Sequence, residues 1–291
     1  MNKPTLWIMC GLSGSGKSTI ATQIANENPN TIIVSSDAIR EELTGNYEDQ
    51  EHNEEVFKIF HDRIRKNLEN KKNVIADATN ITMKSRRAIM LKVNGLNIRK
   101  VCVIIPKPFE QCKEDNLHRE HPVPDFVLDK QIRKFQIPFM EEGYAEIKIA
   151  SGFQHRPFNL LRKMEGFDQK NPHHNMDLYH HCKNTQCLMY DKGYEFPWTF
   201  GALVHDCGKL FTQSFDEKGI AHYYDHNAYG SYIILTTKPY DSATLNICFL
   251  INYHMMPFSW NTDKARQRWK ERFGEYKYKM LLDFNECDRA R

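Results

Sequence analysis

One stretch of this 291-residue chain, "GALVHDCGKL" at residues 201–210, places a His-Asp pair inside an apolar run. The run predicts a buried helix. Burying the imidazole of His205 beside the carboxylate of Asp206 is unfavourable unless another group pairs with them. A metal ion would be such a partner, so the pair predicts a metal site.

Further candidate ligands lie in the second half of the chain, which holds nine of the 13 histidines. They fall on predicted helices or the loops between them: His181, His222, His226, His254 and Asp288. His222 and His226 are spaced i and i+4, so on a helix they would share one face. The neighbouring His205 and Asp206 could supply an imidazole and a bridging carboxylate to two ions. Nitrogen and oxygen ligands without thiolates favour Mn, Fe, Co, Ni, Zn or Mg over a purely structural zinc.

A second chemistry is indicated near the start of the chain by "GLSGSGKST", which fits G-x-x-x-x-G-K-[ST] from Gly11 to Ser18. The glycines let the backbone curl so that its N–H groups face a phosphate chain, Lys17 reaches the β- and γ-phosphates, and Ser18 holds Mg²⁺. We therefore expect ATP or another purine nucleoside triphosphate to bind here. The predicted contacts are Gly11, Ser13, Gly14, Ser15, Gly16, Lys17, Ser18 and Thr19.

Three later segments carry side chains suited to phosphoryl transfer. In "SSDAIREEL", Asp37 could accept the proton of an attacking hydroxyl, and Arg40 could bind a phosphate already on the acceptor. An alternative gives Asp37 only the role of a helix N-cap. In "ADATNITMKSRR", Asp77 is placed for Mg²⁺ or acceptor binding. Arg119, near a helix end before "HPVP", would be a lid cation or a solvated surface residue.

The residues that follow Asp77 are expected to begin the next helix. Asn80 or Thr82 is expected to cap the next helix, and Arg86 and Arg87 are expected in its first turns.

The first half predicts the scaffold that positions these residues. Five apolar runs, "TLWIMC", "TIIVSS", "NVIADA", "KVCVII" and "AEIKIA", alternate with helical patterns. One helix is marked by a stripe of Val56, Ile59, Phe60, Ile64 and Leu68. The alternation predicts an α/β domain, a parallel sheet with helices on both faces, which binds ligands beyond the carboxyl ends of its strands.

From about Phe153 the strand signals fade and helical segments dominate, so an all-α domain is expected to follow. The expected domains are 1–152 and 153–291, in keeping with a length that exceeds one ordinary core.

Composition and charge exclude other classes. No apolar run is long enough to span a bilayer, and the apolar start is too short for a signal peptide, so we expect a cytoplasmic protein with no membrane partner. The eight cysteines show no framework spacing and no disulfide is expected. The net charge of +3 does not by itself indicate nucleic acid.

One local segment is strongly basic. "KARQRWKERFGEYKYK", residues 264–279, has seven basic and two acidic residues interleaved with four aromatic ones. It could hold a phosphate backbone while an aromatic ring stacks on a base, or it could be an amphipathic helix with a solvated face.

The first-half motifs resemble the small P-loop kinases of the polynucleotide 5′-kinase type. The resemblance rests on "GLSGSGKS", "SDAIR", "DATN" followed by "RR", and "NLHR" before "VP". It implies that Asp37 is the general base and that Arg40 grips the phosphate beside the attacking 5′-hydroxyl. It also implies that Arg119 is the lid arginine and Asp77 the third-strand acid. Zeta-toxin-like and small-molecule kinases share much of this pattern.

The order H…HD…H…H…D, centred on "HDCGK", resembles the HD-domain phosphohydrolases, helical enzymes that use divalent metals against phosphate esters. Lys209 matches the lysine that helps to bind the substrate phosphate. The implied metal set, including the two extra histidines of two-ion members, is His181, His205, Asp206, Asp288, His226 and His254. His180 could replace His181, but the D-x-x-x-H register set by Asp177 favours His181, and His222 is a secondary candidate.

Together the halves resemble HD-type bifunctional polynucleotide kinases, although in those fusions the HD module comes first. The resemblance implies nucleic-acid end healing, on RNA rather than DNA: ATP-dependent phosphorylation of 5′-hydroxyl ends and metal-dependent hydrolysis of 2′,3′-cyclic, 2′- or 3′-phosphate ends. It implies Mg²⁺ in the kinase site, one or two divalent metals (Mn, Ni, Co, Fe, Zn or Mg) in the HD site, and a separate ligase as a partner.

Two alternatives stay open. The first is a nucleoside or nucleotide kinase fused to a nucleotide phosphohydrolase. The second is a nucleotide-sensing protein whose HD module is silent.

Overall fold

The computed structural model describes residues 3–47, 49, 51–153, 159–171, 176–237 and 242–290. The chain divides into two compact units. The first comprises Met1–Gln131 and Pro138–Gln154, and the second comprises Ile132–Ile137 and His155–Arg291. Within the described ranges, no helix is both long enough and apolar enough to cross a membrane.

The first unit is built on a parallel sheet. Over the described residues its order is β2-β3-β1-β4-β5, and every neighbouring pair is parallel. The strands are β1 (Thr5–Cys10), β2 (Thr31–Ser35), β3 (Asn73–Asp77), β4 (Arg99–Ile104) and β5 (Glu146–Ile149). The predicted parallel α/β sheet is confirmed. Because β1 lies between β3 and β4, the chain leaves β1 at a switch in strand order, where such sheets bind ligands.

Helices flank this sheet as the sequence pattern predicts. Their bounds are α1 (Lys17–Glu27), α2 (Ser36–Thr44), α3 (Asn53–Glu69), α4 (Met83–Lys92), α5 (Phe109–Leu117) and α6 (Asp125–Arg133). On α3 the predicted stripe is buried at Val56, Phe60, Ile64 and Leu68. Burial of each such side chain contributes about 1.5–3 kcal/mol, which fixes α3 on its apolar face.

The second unit is mainly helical. Its helices are α7 (Leu160–Met164), α8 (Leu178–Asp191), α9 (Trp198–Val204), α10 (Lys209–Thr212), α11 (His226–Thr237), α12 (Ser242–Tyr253) and α13 (Asp263–Arg289). A short antiparallel pair, β6 (Ser214–Phe215) and β7 (Ala221–His222), departs from the predicted all-α character. The turn between these strands needs Gly219, whose φ is 74°, and Asp216 accepts hydrogen bonds from two of its amides.

Residues 132–137 pack within the second unit. The ring of Phe135 meets that of Tyr232 edge to face at 5.0 Å. The amide of Ile137 donates to Asn252 Oδ1 at 3.0 Å, and Asn252 Nδ2 donates to the carbonyl of Phe135 at 2.9 Å. The hydroxyl of Tyr253 also donates to the carbonyl of Ile137. The short segment is therefore held by both apolar contact and a set of buried hydrogen bonds.

Candidate nucleotide site and candidate metal centre

The candidate nucleotide site begins where β1 ends, in the loop from Gly11 to Gly16. Gly14 and Gly16 have φ of 74° and 88°, which favours glycine. A Cβ at Gly14 would lie 2.2 Å from the carbonyl oxygen of Cys112, so no larger residue fits there. Gly16 precedes α1 and has no side chain with which to cap it, so the first amides of α1 are left for an anion. Thr19 lies exposed in the first turn of α1.

Lys17, Ser18 and Asp77 lie together at this loop, as predicted. Lys17 Nζ donates to the carbonyl of Leu12 at 2.8 Å, and Ser18 Oγ donates to Asp77 Oδ2 at 2.8 Å. Burial lowers the pKa of Lys17, and Asp77 partly offsets this. Burial likewise raises the pKa of Asp77, with Lys17 opposing it. A serine hydroxyl beside a carboxylate at the end of a neighbouring strand is the oxygen pair that holds Mg²⁺ in P-loop sites.

Asp37 has two arginines beside it. Its carboxylate lies 3.4 Å from Arg40 Nη1 and 3.6 Å from Arg119 Nη2, and its side chain is 55% exposed. The N-cap alternative is wrong, because Ser35 caps α2 by accepting from the amide of Ala38. Asp37 therefore presents a carboxylate to incoming ligands between two cations, which suits proton transfer from an acceptor hydroxyl.

Arg40 and Arg86 differ in how fully their guanidinium groups are hydrogen-bonded. Arg40 donates to Asn53 Oδ1 at 2.8 Å, while its buried Nε has no hydrogen-bond partner among the described residues. Arg86 is fully buried and donates through Nε and Nη2 to both oxygens of Glu142, at 2.8 and 2.7 Å. Arg86 is thus a core residue of the first unit and not a cation for phosphoryl transfer.

A chain of hydrogen bonds links Arg86 through Asn80 to Met9. Arg86 Nη1 donates to the carbonyl of Asn80, and Asn80 Nδ2 donates to the carbonyl of Met9 at 2.9 Å. Thr82 caps α4 by accepting from the amide of Ser85, so Thr82 and not Asn80 is the cap. Arg87 is exposed.

Gln131 is a site residue that the sequence did not reveal. Its Oε1 accepts from the amide of Ser13 at 2.8 Å, and its Nε2 donates to Ser13 Oγ at 3.0 Å. The amide of Ser13, predicted to contact phosphate, is therefore engaged by a side chain. Gln131 lies in α6 outside any motif, so no sequence signal marks it.

The candidate metal centre collects side chains from elements far apart in the chain. They are His181 on α8, His205 and Asp206 after α9, His226 at the start of α11, His254 after α12 and Asp288 on α13. The predicted helix over 201–210 is wrong at its centre, since α9 ends at Val204 and α10 begins at Lys209. A close approach explains the turn, because a Cβ at Gly208 would lie 1.9 Å from the carbonyl oxygen of His226.

One side of the centre surrounds Asp288. Asp288 Oδ1 lies 3.1 Å from His181 Nε2 and 3.0 Å from His205 Nε2. Asp206 Oδ2 lies 3.6 and 3.4 Å from the same two nitrogens. Burial opposes protonation of His181, but the two carboxylates outweigh it and raise its pKa to about 9.

The other side uses the second oxygen of Asp206. Asp206 Oδ1 lies 3.0 Å from His226 Nε2 and 3.6 Å from His254 Nε2. Burial lowers the pKa of His254. Within each of two sets, His181-His205-Asp206 and Asp206-His226-His254, the ligand atoms lie within 4.8 Å of one another. Asp206 belongs to both sets, which is the position of a bridging carboxylate.

The orientation of three imidazoles fits a cation. His205, His226 and His254 donate from Nδ1 to backbone carbonyls at 2.8, 2.7 and 2.7 Å, so each neutral ring directs an Nε2 lone pair inward. His205 Nε2 and Asp288 Oδ1 are both buried, and neither has a hydrogen-bond partner among the described residues. An imidazole nitrogen and a carboxylate oxygen 3.0 Å apart are stabilised by a shared proton, which the raised pKa of His205 favours, or by a metal cation that replaces it.

Lys209 lies beside the metal centre. Its Nζ is 2.6 Å from Asp206 Oδ2 and donates to Gln169 Oε1 at 2.9 Å. The ammonium also lies 5.3 Å from the ring centroid of Tyr223. Gln169 and Tyr223 were missed by the sequence analysis, because neither belongs to a motif.

His180 and His222 lie outside the centre. His180 is exposed and contacts Asp177, the cap of α8, at 2.8 Å. His222 is in β7 and lies 3.3 Å from Asp216. The expected shared helix face of His222 and His226 is wrong, since α11 begins only at His226.

Known proteins match the first part of the chain. Residues 6–138 match a family model described as an AAA domain. The L-seryl-tRNA(Sec) kinase of Methanococcus maripaludis is 30% identical over 137 residues, which are 46% of this chain and 53% of that protein. The chain thus spans about half the length of this relative.

Three solved structures are also similar to parts of the chain. A chain of the Pnkp1/Rnl/Hen1 RNA repair complex aligns at 24% identity with a TM-score of 0.42, over 46% of this chain and 44% of that chain. A gluconokinase from Sinorhizobium meliloti aligns at 20% identity with a TM-score of 0.36, over 51% and 83%. A fungal RNA kinase aligns at 11% identity with a TM-score of 0.36, over 52% and 76%. Residues 6–138, which include the phosphate loop, are thus similar to an AAA domain, and a comparable length of the chain is similar to a kinase.

Proposed function

We propose that the chain heals broken polynucleotide ends, RNA in preference to DNA, by two reactions. The first unit phosphorylates 5′-hydroxyl ends with ATP, and the second hydrolyses 2′,3′-cyclic, 2′- or 3′-phosphate ends as a metal-dependent phosphoesterase of the HD type. The products would be substrates for a separate ligase.

The kinase reaction follows from the groups around Asp37. Its carboxylate accepts the proton of the 5′-hydroxyl as that oxygen attacks the γ-phosphorus of ATP and ADP leaves. Arg40 is nearly buried, with a buried Nε that has no hydrogen-bond partner within the described ranges, so it suits the neighbouring phosphate of the acceptor. Arg119, 3.6 Å from Asp37, supplies positive charge on the acceptor side. Mg²⁺ bound near Ser18 and Asp77 would neutralise charge on the β- and γ-phosphates.

A kinase acting on an RNA-linked hydroxyl is in keeping with the curated relative. By its name, that relative is a kinase for L-seryl-tRNA(Sec). The family match over residues 6–138 includes the phosphate loop, Asp37 and Arg40.

The phosphoesterase reaction follows from the charge arrangement around Asp206. The inward Nε2 atoms of His205, His226 and His254 and the two carboxylates form a ligand set for one or two divalent cations. A cation there would lower the pKa of bound water and neutralise charge on the phosphate. Lys209 adds a fixed ammonium beside Asp206, suited to a phosphate oxygen.

A single observation carries this half of the proposal: the buried atoms His205 Nε2 and Asp288 Oδ1 face each other at 3.0 Å without a hydrogen bond. The experiment uses the full chain and two RNA oligonucleotides, one with a 5′-hydroxyl and labelled ATP, the other with a 2′,3′-cyclic phosphate and Mn²⁺ or Ni²⁺. Label transfer and phosphate removal are expected. No transfer to the oligonucleotide would overturn the kinase half, and no metal-dependent change at the cyclic end would overturn the other.

A further inference from the structure

The first turns of α13 form a strongly basic segment. Residues 263–273 hold five basic and two acidic residues, a net charge of +3, which equals the formal net charge of the whole chain. The segment ends at Gly274, whose φ of 75° and ψ of 160° interrupt the helix. It is therefore a separate basic rod ahead of the part of α13 that bears Asp288.

Some basic residues of this rod pair with carboxylates and others do not. Asp263 pairs with Arg266 at 3.0 Å, and Glu275 pairs with Lys270 at 2.8 Å. Glu271 accepts from Gln267. Lys264 and Arg268 contact no carboxylate in the part of the chain that the structure describes.

Lys264, Arg268 and Arg272 are spaced four residues apart, which places them in one row along the helix at steps of about 6 Å. The guanidinium carbons of Arg268 and Arg272 lie 5.4 and 4.9 Å from the ring of half-buried Trp269. Stacking on one indole fixes the two planar cations before any ligand arrives, which lowers the entropy lost on binding.

The apolar face of the rod is already in use. Phe273 is fully buried, with rings of Phe249 and Tyr253 at 5.2 and 5.1 Å, and Trp269 packs on Phe273 at 5.1 Å. A membrane-binding helix needs its apolar face free to enter the bilayer, so this rod does not suit one. A row of cations with planar stacking groups suits the phosphate backbone and bases of a single strand.

We infer that Lys264, Arg268 and Arg272 form a binding surface for single-stranded polynucleotide, distinct from the candidate metal centre of the same unit. Arg268 precedes Asp288 by 20 residues of α13, with the non-helical Gly274 between them. This goes beyond the proposed function, because it concerns the body of the strand and requires no turnover.

The test is binding of a fluorescent 12-nucleotide oligouridylate to the full chain, followed by anisotropy in EDTA without ATP. Lys264→Ala with Arg268→Ala is expected to weaken binding at least tenfold. The slope of log K against log salt should fall by about 1.4, at about 0.7 for each lost phosphate contact. The matched control, Arg162→Ala with Lys218→Ala, removes one exposed arginine and one exposed lysine elsewhere and should leave both quantities unchanged.

Equal losses in the two double variants would overturn the inference, as would absence of oligonucleotide binding by the unchanged chain. A second arm adds vesicles of phosphatidylserine and phosphatidylcholine. Vesicle binding that depends on Lys264 and Arg268, without oligonucleotide binding, would assign the surface to a membrane and also overturn it. Binding is measured in EDTA without ATP, so it does not depend on either reaction. The inference can therefore be tested even if both proposed activities prove absent.

Discussion

His205 Nε2 and Asp288 Oδ1 lie 3.0 Å apart, although 83 residues separate them in the sequence. Both atoms are buried, and neither makes a hydrogen bond to another described residue. The ring of His205 cannot turn away, because its Nδ1 donates to the carbonyl of Ala202. The lone pair and the carboxylate are thus fixed toward a common point, which is the arrangement that a cation stabilises.

Divalent metal should therefore stabilise the folded chain. Adding Mn²⁺ or Ni²⁺ at about a hundred times its dissociation constant is expected to contribute about 2.7 kcal/mol, which raises Tm by several degrees. Asp288→Asn should lose most of this shift, since it removes one negative ligand. Differential scanning calorimetry with and without EDTA measures it. His180→Ala is the control, and an equal loss in that variant would argue against the metal centre.

Asp37 and Asp206 should serve separate reactions. Asp37→Asn is expected to lower the rate of 5′-phosphorylation by about 10²–10⁴-fold, the usual contribution of a general base, and to leave removal of a 2′,3′-cyclic phosphate unchanged. Asp206→Asn should do the reverse. Both rates are measured on the same oligonucleotides for each variant, with Glu54→Gln as an exposed acid control. Loss of both activities in either variant would contradict two independent sites.

Gln131 should position the phosphate loop. Replacing it with Ala removes the hydrogen bonds to the amide and hydroxyl of Ser13, at a cost of about 1 kcal/mol for the loop conformation. We expect KM for ATP to rise about three- to tenfold with kcat largely retained, because the loop and not the acceptor is affected. Lys130→Ala, an exposed neighbour, is the control. An unchanged KM in Gln131→Ala would show that the loop does not depend on it.

Gly208 should be essential to the placement of His226. An alanine Cβ would lie 1.9 Å from the carbonyl oxygen of His226 and 2.8 Å from the amide of Gly230, so α11 must shift. Overpacking of this kind costs about 1–3 kcal/mol. We expect Gly208→Ala to lower Tm and to reduce bound metal, measured by inductively coupled plasma mass spectrometry. Gly201→Ala, whose Cβ would meet Leu250 at 3.3 Å, should keep its metal; equal metal content in both variants would contradict the prediction.

Asp283 should make part of the stability pH-dependent. Burial opposes its ionisation, but hydrogen bonds from Lys279 and Tyr194 outweigh this and hold its pKa below the ordinary value. A carboxyl with a depressed folded-state pKa stabilises above its unfolded pKa of about 3.9, and this contribution is lost as pH falls through the folded value. Asp283→Asn should lower the free energy of unfolding by about 1 kcal/mol at pH 7.

At pH 2–3 the difference between Asp283→Asn and the unchanged chain should largely vanish, as measured by urea unfolding at both pH values. Asp263→Asn is the comparison, because the side chain of Asp263 is 99% exposed and its pair with Arg266 is screened by water. A difference for Asp283→Asn that stays constant with pH would exclude the ionic explanation.

The sequence was most informative where local periodicity decides the structure. The five apolar runs match β1 to β5 within two residues at each end, because buried parallel strands need such runs. The stripe on α3 is buried at four of its five positions for the same reason, with Ile59 only partly covered. Glycine and lysine spacing located the phosphate loop, since glycine adopts the positive φ values of residues 14 and 16 with the least strain.

Features that depend on contacts between residues distant in the sequence could not be predicted. The helix expected through His205 is interrupted because Gly208 must approach the first residue of α11, a contact that no local pattern encodes. Arg86 lies in the first turns of α4, as expected, but its pairing with Glu142, 56 residues away, is marked by no local pattern. Gln131 and Gln169 act through side-chain hydrogen bonds to residues distant in the sequence, so periodicity and motif give no sign of them.

The placement of residues 132–137 bears on how this chain can be divided. A cut after residue 152 would keep Phe135 and Ile137 with the sheet and strip them from the helical unit. The truncated helical fragment would then have a hole beside Tyr232 and an Asn252 deprived of both its backbone partners. Testing the two proposed activities on separate polypeptides therefore requires a helical fragment that includes its own copy of this hexapeptide, or a point substitution in one site of the intact chain.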